Sequence, residues 1–127
     1  MAFVHHELCF GCGRSNLFGL LLEVQRTSAG TVVGRCFIKQ DHQGADRASA
    51  HEGVVAAALS EAMALACGEG TRATALEVRL RGSAPVGTFL QVEARVEHRL
   101  DGQLRASASA SVDERHVAAA AGSYRAV

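Results

Sequence analysis

The sequence predicts a single α+β domain in which an antiparallel sheet wraps around one long, buried helix. Two observations carry this prediction. Residues 53–67 are apolar on nearly every side of a helical wheel, and the segments after residue 76 alternate apolar and polar side chains with the two-residue period of half-buried strands. At 127 residues the chain is long enough for one hydrophobic core and too short for two, so 1–127 is assigned to a single domain.

The first half of the chain contains two predicted strands and the helix. Residues 18–24 and 31–39 form the strands, separated by a turn at residues 28–30, and the polar residues 40–50 form a loop. The helix over 53–67 is rich in strong helix formers and stops at Gly68. Because its apolar residues point in every direction and it is too short to span a membrane, we expect it to be enclosed by protein.

The second half predicts an antiparallel meander of four strands, at 76–81, 90–100, 104–112 and 116–125. Pro85 and Gly87 interrupt the chain between the first two. Asp101-Gly102 predicts a tight hairpin turn, because both central positions of that turn need positive φ. Two strands, an enclosed helix and four strands give a six-stranded sheet around a central helix.

The composition excludes several classes of protein. Hydrophobic residues make up 48% of the chain, charged residues 20%, and the formal net charge is zero, which argues against a nucleic-acid partner. The first residues lack the basic-then-apolar order of a secretory signal, and no apolar run reaches the roughly 20 residues of a membrane span. We therefore expect a cytoplasmic protein with reduced cysteines and no membrane association.

Three stretches carry a family resemblance. They are residues 9–20, with Cys-Phe-Gly-Cys-Gly at 9–13; residues 42–63, with His-Gln-Gly at 42–44, His-Glu-Gly at 51–53 and Leu-Ser-Glu-Ala-Met at 59–63; and residues 74–87, which end in Pro-Val-Gly. In this order the chain resembles the hotdog-fold acyl-CoA thioesterases of the phenylacetate-pathway and human-type group. The resemblance implies a hotdog fold, an acyl-CoA substrate, no cofactor beyond the substrate's own coenzyme A, and a homodimer or dimer of dimers.

Two positions depart from the family pattern. Glu52 replaces the family's second helix-start glycine, and Ser60 replaces the carboxylate nine positions after the histidine, which is the family's usual base or nucleophile. The second departure leaves two functions open. One is hydrolysis of a small or medium acyl-CoA; the alternative is a hotdog protein that binds an acyl thioester without cleaving it. A hotdog dehydratase ranks last, because its Asp-x-x-x-x-His pair is missing from the helix.

The start of the helix is the predicted oxyanion site. The first N–H groups of a helix have no partner within the helix and carry the positive end of its dipole. The resemblance assigns the oxyanion donor to the N–H of Gly53, with His51 close by; the alternative is that Gly53 only eases the entry into the helix. Residues expected to contact the substrate are His42, Gln43, Gly44 and Glu52.

The middle of the helix offers two candidate groups for the attacking water. Glu61 is the only ionisable residue between 53 and 67, so it needs a partner, a wet cleft or a raised pKa, unless it is purely structural. Ser60 could hold water or act as a nucleophile, or bond back to the preceding turn. Thr74 resembles the family's water-orienting hydroxyl. His51 and Ser60 lie on opposite helix faces about 13 Å apart along the axis, so two subunits must share each site.

Cys9 and Cys12 have the spacing of zinc ligands, and His5 and His6 lie just upstream. A structural zinc site usually takes a second pair, whereas Cys36 and Cys67 stand alone in the sequence. No helix start in a βαβ unit supports a redox pair. We therefore expect no metal here and interpret the Cys9–Cys12 segment as a structural turn.

Overall fold

The computed structural model describes residues 4–127, which form one helix and six strands. The elements in chain order are β1 (Glu23–Ser28), β2 (Thr31–Phe37), a 3-10 turn (Gln40–His42), α1 (Glu52–Cys67), β3 (Thr71–Leu80), β4 (Phe89–Leu100), β5 (Gln103–Val112) and β6 (Arg115–Ala126). The strands make a single sheet in the order β1-β2-β4-β5-β6-β3, and every neighbouring pair is antiparallel. The predicted architecture, a six-stranded antiparallel sheet around one long helix, is confirmed.

Helix α1 lies against the inner face of the sheet. Its buried residues are Val55, Ala58, Leu59, Ala62, Met63, Leu65, Ala66 and Cys67. These pack on the alternating apolar residues of β4 and β5, such as Leu90, Val92 and Ala106. A second side of the helix, with Ala57, Ser60, Glu61 and Ala64, is only half-buried. A single copy of the chain therefore encloses the helix incompletely, in contrast to the complete enclosure that the sequence predicts.

The hairpin turns follow the predicted chemistry. Asp101 and Gly102 join β4 to β5 with φ of 50° and 76°, as the tight turn requires. Asp113 and Glu114 make the same kind of turn between β5 and β6, with φ of 49° and 66°. The predicted break at Pro85 lies between β3 and β4, where Pro85 forms an isolated bridge with Ser49.

The first strand is the main error of the sequence prediction, which placed it at 18–24. β1 instead covers Glu23–Ser28 and has only one buried residue, Val24. The leucines that suggested a strand, Leu20 and Leu22, are buried beneath the N-terminal segment, and Leu21 between them has a φ of 52° that no strand accommodates. Burial rather than strand pairing explains why these residues are apolar.

Strand β3 lies at the edge of the sheet and pairs only with β6. Its residues Leu76, Val78 and Leu80 share the helix-facing side, yet Leu76 and Leu80 are each 48% exposed. The alternation was predicted, but the expected burial is absent because none of residues 4–127 of one copy covers this part of the sheet. The free edge and its apolar side chains are suited to pairing with another strand.

Candidate functional site

The two predicted loops meet at the start of α1. The N–H of His51 donates a hydrogen bond of 2.7 Å to the carbonyl of His42. Gly44 passes so close that a Cβ built on it would lie 2.9 Å from the Cα of His51. The structure thus brings the His42–Gly44 loop and the His51–Gly53 helix start together within one chain.

His42 is a buried residue of this loop, with 5% of its surface exposed. Its Nδ1 accepts a hydrogen bond of 3.1 Å from the N–H of Lys39, while Nε2 has no hydrogen-bond partner among the described residues. Burial and the nearby Lys39 charge lower the pKa of His42 below its ordinary value of 6.5, with the Gly19 carbonyl and Asp41 acting in the opposite direction. The His42 ring is therefore buried and its lowered pKa favours the neutral form, while its predicted contact with the substrate stays a prediction.

His51 caps the helix. Its Nδ1 accepts a hydrogen bond of 2.8 Å from the N–H of Gly53, so the predicted oxyanion donor is already engaged in this conformation. Because Nδ1 is an acceptor, the neutral ring carries its proton on Nε2 and can itself donate a hydrogen bond. The N–H of Glu52, the first of the helix, donates to no described residue. The helix start consequently offers the Glu52 N–H and the exposed His51 ring as donors, and the Gly53 N–H if that ring turns away.

A cavity of about 260 Å³ opens beside this helix start. It runs between the Gly44 loop, the first turn of α1 and the segment that follows β3. Its lining is Gly44, Ala45, Asp46, Ser49, Ala50, Glu52, Val55, Leu80, Gly82, Ser83 and Ala84. A larger cavity, of about 620 Å³, lies along β1, β2 and β4 and shares none of these residues. Two of the predicted substrate-contact residues, Gly44 and Glu52, line the smaller cavity, whereas Gln43 and His42 do not.

The predicted hydroxyls lie away from the helix start. The Ser60 side chain is half-buried and makes no hydrogen bond within the described part of the chain, while the Ser60 carbonyl accepts a bond of 3.0 Å from the Tyr124 hydroxyl. Thr74 is exposed on the edge strand β3 and donates a bond of 3.2 Å to the carbonyl of Ser123. Neither hydroxyl bonds to His51 or Gly53, in agreement with the expectation that one helix cannot supply both halves of a site.

Glu61 has a partner that the sequence analysis did not identify. Its Oε2 lies 2.8 Å from Nδ1 of His5 and 3.3 Å from Sγ of Cys9, and the carboxylate is 13% exposed. The Cys12 sulfur completes the group, 3.6 Å from the same His5 nitrogen. We refer to His5, Cys9, Cys12 and Glu61 as the His-Cys-Cys-Glu cluster.

The charges in this cluster follow from its contacts. The hydrogen bond to Glu61 raises the pKa of His5 to about 9, against the opposing effect of burial. Burial alone raises the pKa of the Glu61 carboxyl, but the His5 ring and the neighbouring thiols outweigh burial and lower that pKa. Burial raises the pKa of the Cys12 thiol. The cluster thus contains an ion pair of His5 and Glu61 beside the protonated Cys12 thiol and the Cys9 sulfur.

Two sequence signals pointed towards this arrangement. Glu61, as the sole ionisable residue of an apolar helix, required a partner, and Gly11 lies between the two cysteines. A Cβ on Gly11 would lie 2.4 Å from Cδ of Glu61, so only a glycine lets the turn pack on the carboxylate. No local pattern identifies the N-terminal turn as that partner, because Cys12 and Glu61 are 49 residues apart in the chain.

Comparison with solved structures identifies the architecture as the hotdog fold of thioesterase superfamily proteins. The first similar structure, described as a thioesterase superfamily protein, matches 88% of this chain with a TM-score of 0.80 and 17% identity. The chain spans 60% of the length of that protein. No family model matches the sequence, and no curated protein matches it significantly. No helix in the described range 4–127 is long and apolar enough to cross a membrane.

Two other similar structures are matched over most of their own length. The PaaI protein of the E. coli phenylacetic acid degradation operon has a TM-score of 0.78 and 19% identity over 85% of this chain and 80% of its own. A hypothetical thioesterase from Streptococcus pneumoniae, crystallised with coenzyme A, has a TM-score of 0.76 and 14% identity over 84% of this chain and 85% of its own. At these identities the similarity establishes the fold.

Proposed function

We propose that this protein is an acyl-CoA thioesterase that hydrolyses a small or medium acyl-CoA at a site shared by two copies of the chain. The observation that carries the proposal is the helix start, which presents backbone and ring N–H groups beside a cavity. Thioester hydrolysis requires fixed donors for the oxyanion that forms when water attacks the carbonyl. The thioesterase fold and the coenzyme A bound in one similar structure support the substrate class.

At the helix start, the thioester carbonyl is polarised by the positive end of the α1 dipole. The Glu52 N–H and the Nε2–H of His51 act as donors in the conformation seen here, and the Gly53 N–H joins them when the His51 ring turns away. The acyl group enters the cavity between Gly44 and Val55. The His42–Gly44 loop holds the start of the helix in position through its hydrogen bond with His51. The proposed hydrolysis needs no cofactor beyond the coenzyme A that is part of the substrate.

The attacking water is positioned at the middle of the partner's helix. A carboxylate such as Glu61 can accept the proton of the water, whereas the Ser60 hydroxyl can only orient it. Glu61 is bound to His5 and Cys9 of its own chain, and the Ser60 hydroxyl has no partner in the described residues. Ser60 is accordingly the group that is free to position water, and Glu61 acts as the base only if it leaves its cluster.

The dimer that this site needs is supported by two incomplete surfaces of one copy. The half-buried side of α1, with Ala57, Ser60 and Ala64, and the exposed leucines of edge strand β3 lie on the same side of the sheet. Covering both with a second copy completes the enclosure of the helix. A twofold arrangement places each helix start against the middle of the other helix, and pairing of two such dimers gives a tetramer.

The test is release of free coenzyme A from a panel of acyl-CoA thioesters, short and medium, aliphatic and aromatic. At least one member should be hydrolysed. We expect Ser60→Ala to lower kcat, because the water loses the group that orients it, and Glu61→Gln to lower kcat by about 10²-fold if Glu61 accepts the proton of the water. Binding of acyl-CoA by calorimetry with no turnover would overturn the proposal and favour a binding protein. Full activity in both variants would overturn the residue assignment.

A further inference from the structure

We infer that the His-Cys-Cys-Glu cluster is a binding site for a divalent metal ion of the zinc type. The cluster joins the N-terminal segment to the middle of α1. The inference goes beyond the proposed function and does not depend on it. It assigns Glu61 to the metal and leaves Ser60 as the group that positions water.

The donor atoms converge on one point. Nδ1 of His5, Sγ of Cys9, Sγ of Cys12 and a carboxylate oxygen of Glu61 all lie within 4.8 Å of one another. Two cysteines, a histidine and a carboxylate make a complete four-ligand set of the kind that binds Zn²⁺. Soft thiolates with an imidazole exclude Mg²⁺ and Ca²⁺, which prefer oxygen ligands.

The distances fit tetrahedral coordination. With Zn–N and Zn–O bonds of about 2.0–2.1 Å and Zn–S bonds of about 2.3 Å, neighbouring ligand atoms lie about 3.3–3.8 Å apart. The His5 nitrogen is 3.7 Å from Cys9 Sγ and 3.6 Å from Cys12 Sγ, and the Glu61 oxygen is 3.3 Å from Cys9 Sγ. The 2.8 Å contact between His5 and Glu61 is shorter than this range, because a proton bridges these two atoms. Replacing that proton by a metal ion separates them by about 0.5 Å.

The surrounding backbone is built to hold the ligands in place. The N–H of His5 donates to Cys12 Sγ at 3.1 Å, a contact of the type that orients and stabilises metal ligands. The turn between the cysteines closes through a bond of 2.9 Å from the N–H of Gly13 to the carbonyl of Cys9. Gly11 packs directly on the Glu61 side chain. The ligands therefore come from two elements whose relative position is fixed without the metal.

The test is metal binding by the full chain, purified without a polyhistidine tag and stripped with a chelator. Co²⁺ serves as the optical probe and Zn²⁺ as its competitor. We expect one Co²⁺ per chain, with the thiolate-to-metal charge-transfer absorption and the intense visible bands of tetrahedral coordination. Zn²⁺ should abolish both signals. Zn²⁺ should also raise the Tm of the stripped protein.

Matched variants locate the site. His5→Ala, Cys9→Ser, Cys12→Ser and Glu61→Gln should each weaken Zn²⁺ binding by more than about 100-fold, since even loss of an outer-shell partner costs about 10–100-fold. The controls His6→Ala, Cys67→Ser and Glu69→Gln change the same residue types outside the cluster and should leave the affinity unchanged. The serine replacements preserve size, and circular dichroism checks that each variant is folded.

Several outcomes would overturn the inference. These are the absence of charge-transfer absorption in the folded wild-type protein, no Zn²⁺ retained at equimolar concentration, or equal losses in cluster and control variants. If the cluster is only a hydrogen-bonded ion pair, Zn²⁺ will leave the Tm unchanged. Coenzyme A release, measured with and without Zn²⁺, is a separate assay, so failure of the proposed hydrolysis and failure of the metal site give different results.

Discussion

Gly13 allows the N-terminal turn to close on itself. A Cβ at this position would lie 2.4 Å from both the backbone nitrogen of Cys9 and the carbonyl oxygen of Glu7, and neither backbone atom can move without opening the turn. We predict that Gly13→Ala lowers the free energy of unfolding by about 2 kcal/mol or more, in the upper range for overpacking. Urea denaturation measures this loss.

The control for Gly13→Ala is Gly82→Ala. There the nearest atom to an added Cβ is the movable end of Arg115, at 3.2 Å. This variant should retain nearly the full stability. Equal stability of the two variants would show that the N-terminal turn is not packed as described.

His42 makes the stability of the protein depend on pH. The unfolded chain binds a proton on this residue near pH 6.5, whereas the buried ring, whose pKa is lowered by burial and by Lys39, binds it only at lower pH. Stability is therefore fully present above pH 6.5 and falls as the pH drops below it, by at most about 1.4 kcal/mol per pH unit. His42→Asn should remove this part of the slope.

Urea denaturation at several pH values between 5 and 8 measures that slope. The exposed His116 supplies the control, since His116→Asn should leave the slope unchanged. An identical pH dependence for wild type and His42→Asn would contradict the assignment of His42 as a buried neutral ring.

The sequence identified individual candidate residues better than it identified the groups that they contact. That Glu61 needed a partner followed from the cost of a bare carboxylate in an apolar helix. Which partner it found depended on the fold of the N-terminal segment, where loop geometry, not periodicity, places His5 and Cys12. In the same way, His51 was assigned to the oxyanion site, but its role as a cap on the Gly53 N–H emerged only from the structure.

Edge strand β3 is the element on which the proposed self-association depends. Its exposed Leu76 and Leu80 face the helix side of the sheet and continue its apolar surface beyond the chain's own helix. We predict that Leu80→Lys disrupts the proposed dimer, because a charge on this face cannot be buried against a second copy. Sedimentation velocity checks the change in mass.

The matched control for this variant is Leu100→Lys. Leu100 is 61% exposed at the far end of β4, next to the Asp101 turn and away from the β3 edge. Its replacement should leave the mass in solution unaltered. A dimer that survives Leu80→Lys but not Leu100→Lys would place the interface elsewhere.

The predictability of each element followed the clarity of its pattern. β5 alternates strictly between alanine or leucine and polar residues, and two turn signals bound it, so its extent was predicted to within a residue. β1 has one buried residue and no alternation, so the adjacent Leu20 and Leu22 attracted the assignment instead. Leucines of a loop that is buried under a non-strand segment give the same local sequence pattern as leucines of a buried strand. Only the tertiary structure distinguishes the two cases.

At the scale of the whole molecule, the proposed active site requires two copies of the chain, each of which supplies part of it. One chain provides a helix start with donors and a cavity, but its own Ser60 is seven residues further along the helix, about 10 Å from Gly53. We propose that the second copy packs on the half-buried side of α1 and on the open inner face of β3. A core of small alanine and valine side chains buries little area per residue, which favours covering these surfaces with a second copy.

Complementation between two inactive variants tests this claim most directly. Ser60→Ala damages the middle of the helix and His51→Ala its start, so each homodimer should be impaired at both of its sites. After mixing and reassociation, half the dimers combine the two chains, and each of these has one undamaged site. Sites shared between two copies should restore about a quarter of the wild-type rate of coenzyme A release. A rate no higher than the sum of the two separate variants would contradict it.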